Sequence, residues 1–159
     1  MRFTPRGGEP LFDSLEPVIN GLGFVLVELS VFRHKGGVQI RAVVSGPKPV
    51  GVEGCSSVHH ALLPRLELAF PGQNLSVEVS SPGIERIIKD GSEFACFLGR
   101  GVRCYRTDIS DWSGGILVAA DTSRLTLRNK DGEMNLDYDV IAKAKLDYSQ
   151  EVERSWQQI

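Results

Sequence analysis

Cys55 and His59 stand four residues apart in a segment that reads as helix, close enough for thiol and imidazole to meet. With His60 they could be sought as metal ligands or as a nucleophile–base pair. A structural zinc site needs four ligands and a catalytic one three, and no further His or paired Cys lies at suitable spacing. Cys55 also falls on the apolar stripe of its helix, so core packing and surface imidazoles are the reading of these residues. Ser80 and Ser81 precede Pro-Gly, but no G-x-S-x-G elbow surrounds them and no histidine follows residue 60. Their hydroxyls are expected to bond the local backbone. Gly51-Val52-Glu53-Gly54 lacks the lysine and third glycine of either phosphate loop. Catalysis has no seat here, and no metal or nucleotide cofactor is expected.

Binding has better candidates. The net charge of −2 argues against a protein that coats nucleic acid by bulk electrostatics. Residues 1–82 hold seven Lys/Arg and seven Asp/Glu, residues 83–159 eleven and thirteen, and in the second half the signs segregate. Arg86, Lys89, Arg100, Arg103 and Arg106 come early; Asp131, Glu133, Asp137 and Asp139 come late. A basic strip beside an acidic face suits a partner that is itself RNA plus basic protein; solvated surface charge with no partner is the alternative. Glu85-Arg86 is either a plain surface pair worth about 0–1 kcal/mol or a guanidinium free to fork onto phosphate. Arg100 and Arg106 share a face by period two and Arg103 points opposite. A strip of about four phosphate contacts loses roughly a hundredfold in affinity between about 50 and 200 mM salt, which fits docking on a structured RNA already held elsewhere. No RNP-type aromatic pair or basic G-x-x-G loop is visible, so base-specific reading is not expected.

The elements that must position these residues follow from periodicity. Leu11, Phe12, Leu15, Val18, Ile19 and Leu22 recur at helical spacing, with Ser14 as the expected cap and Pro17 in the first turn. Val27/Leu29/Val31 alternate with Glu28/Ser30, and Val38, Ile40, Ala42 and Val44 share a face beyond the His34–Gly37 turn: a hairpin. A second helix carries Cys55, Val58, Leu62, Leu66 and Phe70, with a kink or break expected at Pro64. Leu75–Ser80 is a third strand. After a short helical stretch over Gly91–Leu98 the pattern is all β: Val102–Tyr105, a turn at Trp112–Gly115, Ile116–Ala120, Leu125/Leu127, a tight turn at Asp131-Gly132, Met134/Leu136/Tyr138, and Ala142/Ala144/Leu146. About five short strands suggest a small barrel that closes its sheet. Residues 1–10 read as a flexible tail with no secretory signal, and no apolar run is long enough to span a bilayer. Cys55, Cys96 and Cys104 read as reduced, mostly buried thiols.

Between the two patterns lies Val77 to Arg86. A strand runs into Ser80-Ser81-Pro82-Gly83, where Pro82 pre-sets φ and Gly83 supplies a positive one, and Glu85-Arg86 follows. With Phe94 to Phe97-Leu98-Gly99-Arg100 downstream, this stretch resembles the bacterial ribosome maturation factor family RimP, over roughly residues 10–147. The family usually has Pro where this chain has Ile87, and its pattern would not predict Pro64. The resemblance implies an α+β chain: a two-helix, three-strand α/β domain over 10–82, an SH3-like (Sm-type) β-barrel over 83–148, and a C-terminal tail over 149–159 in which Val152, Trp156 and Ile159 keep helical spacing. It implies a non-enzymatic, cytoplasmic, monomeric assembly factor. Such a factor binds the immature 30S subunit and helps a basic small-subunit ribosomal protein dock, with no membrane and no small-molecule substrate. On that reading Arg86, Lys89, Arg100, Arg103 and Arg106 face rRNA, and Asp131, Glu133, Asp137 and Asp139 attract the ribosomal protein. Ser80, Ser81, Pro82, Gly83 and Glu85 form the interdomain turn. An Sm-like general RNA-binding adaptor is the alternative.

Overall fold

The computed structural model describes residues 1–156, with side chains up to Val152. They form two compact units: Gly7–Pro82, and Met1–Arg6 together with the described residues from Gly83 on.

In the first unit, α1 (Pro10–Gly21) starts earlier than Ser14. The Glu9 carboxylate accepts the Phe12 N–H at 2.7 Å, and Pro10 takes the first helical position, where no donor is needed. Pro17 therefore sits inside the helix. It is exposed, so water can reach the carbonyl it leaves unbonded. The helix ends where Gly23 turns to φ 88°, and the N–H groups of Gly23 and Phe24 donate to the carbonyls of Asn20 and Ile19.

β1 (Val25–His34) pairs antiparallel with β2 (Gly37–Ser45), and β3 (Leu75–Ser80) adds parallel to β2. A bulge between Leu26 and Glu28 breaks the expected alternation, so Val31 is exposed while Leu26 and Val27 are buried. Gly37 is required: its φ is 145°, and a Cβ there would run into the Asn74 carbonyl that accepts the Val38 N–H. α2 (Val52–Ala69) connects β2 to β3 and runs unbroken through Pro64. Pro64 is exposed and its missing donor would have served His60, also exposed, so the defect is left to solvent. Leu15, Ile19, Leu26, Val38, Ile40, Ala42, Val44, Val58, Leu62 and Leu66 form the core. Each buried leucine contributes about 2 kcal/mol.

The second unit is built on one sheet. Its strands are β4 (Ile87–Ile88), β5 (Gly101–Arg106), β6 (Asp111–Ala120), β7 (Arg124–Asn129), β8 (Gly132–Asp137) and β9 (Ile141–Leu146), in the order β4-β9-β5-β6-β7-β8. The expected closed barrel is not formed: among the described residues β4 and β8 are edges that do not pair with each other. β4 is two residues long because the chain bends at Ile84 and Glu85 just before it and a 3-10 helix (Gly91–Phe97) follows almost at once. Phe94, Phe97, Val102, Cys104, Leu117, Leu125 and Leu127 are fully buried beneath the sheet. Burial pushes the Cys104 thiol up to about 12.

Two expected turns are displaced. Trp112–Gly115 lies inside β6, and the chain reverses at 107–110 instead. The glycines mark close approach rather than a bend: a Cβ on Gly115 would lie 2.7 Å from the Arg128 carbonyl, and one on Gly114 2.5 Å from Gln150 Nε2. The β7–β8 reversal uses Lys130-Asp131, with Gly132 (φ 115°) already in the strand. α3 (Tyr148–Trp156) follows β9. Its Glu151 pairs with Arg100, so the expected tail begins by docking on the sheet. The Trp156 side chain and Ile159 lie outside the described residues.

Residues 1–6 are not a loose tail. The Met1 nitrogen donates to the carbonyls of Tyr138 (2.6 Å) and Ile141 (2.9 Å), Gly91 N–H donates to the Arg2 carbonyl, and Phe3 stacks on Tyr138. Asp90 accepts the N–H groups of Thr4 and Ser92, both at 2.9 Å. Burial alone would raise this carboxyl, but those hydrogen bonds outweigh it and hold it at about 2. A folded-state value below the ordinary one means a contribution complete above about pH 4 and lost as pH falls toward 2. Protection of the Thr4 and Ser92 amides, taken relative to the intrinsic exchange rate at each pH, will fall across that window, and Asp90→Ala will show the low protection already at neutral pH. Exchange that ignores both would mean that Asp90 does not hold the segment.

Candidate nucleic-acid interface

Strand pairing decides which of the expected cations stand together. Val102 and Cys104 of β5 point into the core, so Arg103 and Tyr105 point out. Across β5–β6, Arg103 faces Gly114 and Tyr105 faces Trp112; across β5–β9, Arg103 faces Lys145 and Tyr105 faces Lys143. Ile87 of β4 pairs with Lys145, and Lys89, two residues further along, has the same parity and is exposed. Two rows therefore cross the outer sheet surface. One holds Ile87, Lys145 and Arg103; the other holds Lys143, Tyr105 and Trp112, with Lys89 at its β4 side. Directly paired side chains sit about 5 Å apart at Cβ, so this is one continuous face.

Its centre is aromatic. The Tyr105 and Trp112 rings meet edge-on, centroids 5.5 Å apart at 75°, and the Arg103 guanidinium lies 5.1 Å from the centre of the Trp112 ring. Trp112 is 41% exposed. Among the described residues, Arg103 Nε has no hydrogen-bond partner. Asp147 lies nearby: burial raises it, but hydrogen bonds from Ser149 and Gln150 and the Arg103 charge together hold it below the usual carboxylate range.

The other expected cations are placed differently. Arg86 is turned toward the 3-10 helix, its Nε and Nη2 donating to Glu93 Oε1 at 3.2 and 2.9 Å; its partner is not the adjacent, exposed Glu85. Arg100 is 4% exposed and donates to Glu151 Oε1 at 3.1 Å, which takes its side chain away from solvent. Arg106 chelates Asp108 through Nε (3.1 Å) and Nη2 (2.7 Å) and reaches Ser113 Oγ at 3.4 Å. The Asp108 hydrogen bonds raise the Arg106 pKa above its ordinary value. The strip read along the chain is thus divided: Lys89 and Arg103 stand on the outer face, while Arg86, Arg100 and Arg106 are bound to carboxylates.

The acidic stretch is not uniformly acidic in space. Arg124 and Arg128 of β7 stand opposite Asp137 and Glu133 of β8 and pair with them, with Nε–oxygen distances of 3.4 and 3.2 Å. Asp131 and Asp139 are exposed. Ser80 ends β3 opposite Val43, Ser81 is exposed, Pro82 is half-buried, and Gly83 has φ 81°. On α2, Cys55 and His59 are half-buried and His60 is exposed, with the two imidazoles meeting edge-on at 6.0 Å. No group of three or more His, Cys, Asp or Glu able to hold a metal occurs among the described residues. No described helix is long and apolar enough to cross a membrane.

Lys143, Lys145, Tyr105 and Trp112 were not picked out from sequence. Parity within β9 already puts Lys143 and Lys145 on one face, and parity within β5 does the same for Arg103 and Tyr105; the register that joins these strands to each other and to Trp112 on β6 has no local signal.

Fold and face together define an α+β protein whose cationic and aromatic residues lie on an open sheet surface. Residues 14–85 match the family model of the RimP N-terminal domain. Over 136 residues, 86% of this chain and 93% of the relative, the sequence is 27% identical to the ribosome maturation factor RimP of Borrelia hermsii (strain HS1 / DAH). The same coverage and identity hold for that of Borrelia turicatae (strain 91E135), and 26% identity for that of Borrelia recurrentis (strain A1). The family model and these relatives together support the RimP family of ribosome maturation factors as the family this chain resembles.

Proposed function

We propose that this protein is a ribosome maturation factor that binds the immature 30S subunit in the cytoplasm and promotes its maturation, including the docking of a basic small-subunit ribosomal protein. The observation that carries the reading is the outer face of the second unit, where Lys89, Lys143, Lys145 and Arg103 gather around the exposed Trp112 and the half-buried Tyr105. Four cations on one face match the phosphate density of folded RNA without making the whole chain basic. Asp131 and Asp139, exposed beyond the paired Glu133 and Asp137, supply the charge that draws a basic protein and speeds its encounter. Each contact is weak alone. Binding favours the correctly folded precursor by differential affinity and shifts its population, with no nucleotide, metal or covalent step. The Ser80–Gly83 turn and Glu85 join the first unit to this surface, so both units engage one particle and gain by effective concentration.

Sedimentation of cell extract with antibody detection tests the class. The protein will travel with free small subunits and be absent from 70S particles, and loss of the gene will leave unprocessed small-subunit rRNA. A profile spread over all RNA, or confined to the top of the gradient, would remove the proposal.

A further inference from the structure

We propose, building on that reading, that Trp112 and Tyr105 form a stacking site for an unpaired RNA base, with Lys89, Lys143 and Lys145 holding the phosphates beside it. The partner is then a single-stranded or bulged segment rather than a duplex. The tyrosine edge fixes the plane of the indole, and Arg103 covers one side of it. Trp112 remains 41% exposed, so part of the ring is open to solvent and to a planar group. A base supplies that group, and its own backbone supplies the anions for Lys143 and Lys145 two strands away and Lys89 beyond them. A duplex keeps its bases stacked inside and would meet only the cations. An apolar protein surface would use the ring but strand three lysines, and an acidic peptide would use the lysines but not the ring face. A strand-borne aromatic pair split between β5 and β6 has no contiguous motif, which is why sequence alone pointed away from base recognition.

The test uses the full chain carrying Trp156→Phe, so that Trp112 is the sole indole. Single-stranded oligo(A) RNA will quench its fluorescence; an oligo(A)·oligo(U) duplex and an abasic ribose-phosphate oligomer of equal length will not. By anisotropy of labelled RNA, Trp112→Ala will bind the single strand roughly 5- to 150-fold more weakly, and Trp112→Phe will retain part of the affinity. Lys143→Ala with Lys145→Ala will weaken single strand and duplex alike. Equal quenching by the abasic oligomer, or unchanged single-strand affinity in a Trp112→Ala variant that melts normally, overturns the stacking site. A Trp112→Ala variant that keeps its oligonucleotide affinity but leaves the small-subunit peak also overturns it and assigns the ring to a protein contact. Ring-dependent oligonucleotide binding by a chain that never migrates with small subunits upholds the stacking site and sinks the assembly role instead.

Discussion

Replacing Lys89, Lys143 and Lys145 together by alanine will weaken association with single-stranded RNA several hundredfold at about 50 mM salt and about thirtyfold at about 200 mM. Each phosphate contact on a single strand contributes a counterion-release slope of about 0.7, or close to a tenfold gain per contact at the lower salt. Three contacts multiply. The slope of log affinity against log salt will fall by about 2, a stronger signature than the affinity alone. The three side chains lie on the outer surface of β4 and β9, Lys89 and Lys143 exposed and Lys145 half-buried, so the melting temperature will barely move. A variant that melts normally and keeps both affinity and slope would show that the outer face does not meet phosphate.

Arg100 will behave in the opposite way. Removing its partner with Glu151→Ala will lower stability by about 3 kcal/mol, because a guanidinium with 5% of its side chain exposed is left uncompensated. Undocking of α3 limits the loss by letting water in, so the urea midpoint will drop while the first turn of α3 frays. Arg100→Ala will also destabilise, and its RNA affinity will stay within about twofold of the parent once the chain is folded. The double substitution measures the coupling directly, since the two residues form one pair. A large loss of RNA affinity without loss of stability would return Arg100 to the interface.

These two outcomes separate arginines that look alike in sequence. Arg100, Arg103 and Arg106 are spaced three apart in one basic run, and period two puts Arg100 and Arg106 on one face with Arg103 opposite. The structure leaves Arg103 outward, over Trp112, and gives the other two to Glu151 and Asp108. Glu151 is far along the chain, and nothing near Arg100 announces it. The acidic stretch changed in the same manner: Glu133 and Asp137 meet Arg128 and Arg124 only because β7 and β8 pair in that register.

Amphipathic periods already contained the helices, the hairpin and the apolar face of β2, since each depends on residues two to four apart; in β9 the buried set is Ile141, Ala144 and Leu146, and the expected Ala142 is exposed. Local rules also erred locally. The Gly-Gly pair expected to make a bend marks close approach, and Pro64, expected to interrupt its helix, leaves its missing bond to solvent. What the chain could not disclose by itself was everything set at long range: the docking of residues 1–6, the open sheet, and the face that brings Lys89 and Lys143 beside Tyr105 and Trp112. Side-chain parity is a property of one strand's backbone, whereas register and partner choice come from packing a whole core, so the first is written in neighbouring residues and the second only in the folded molecule.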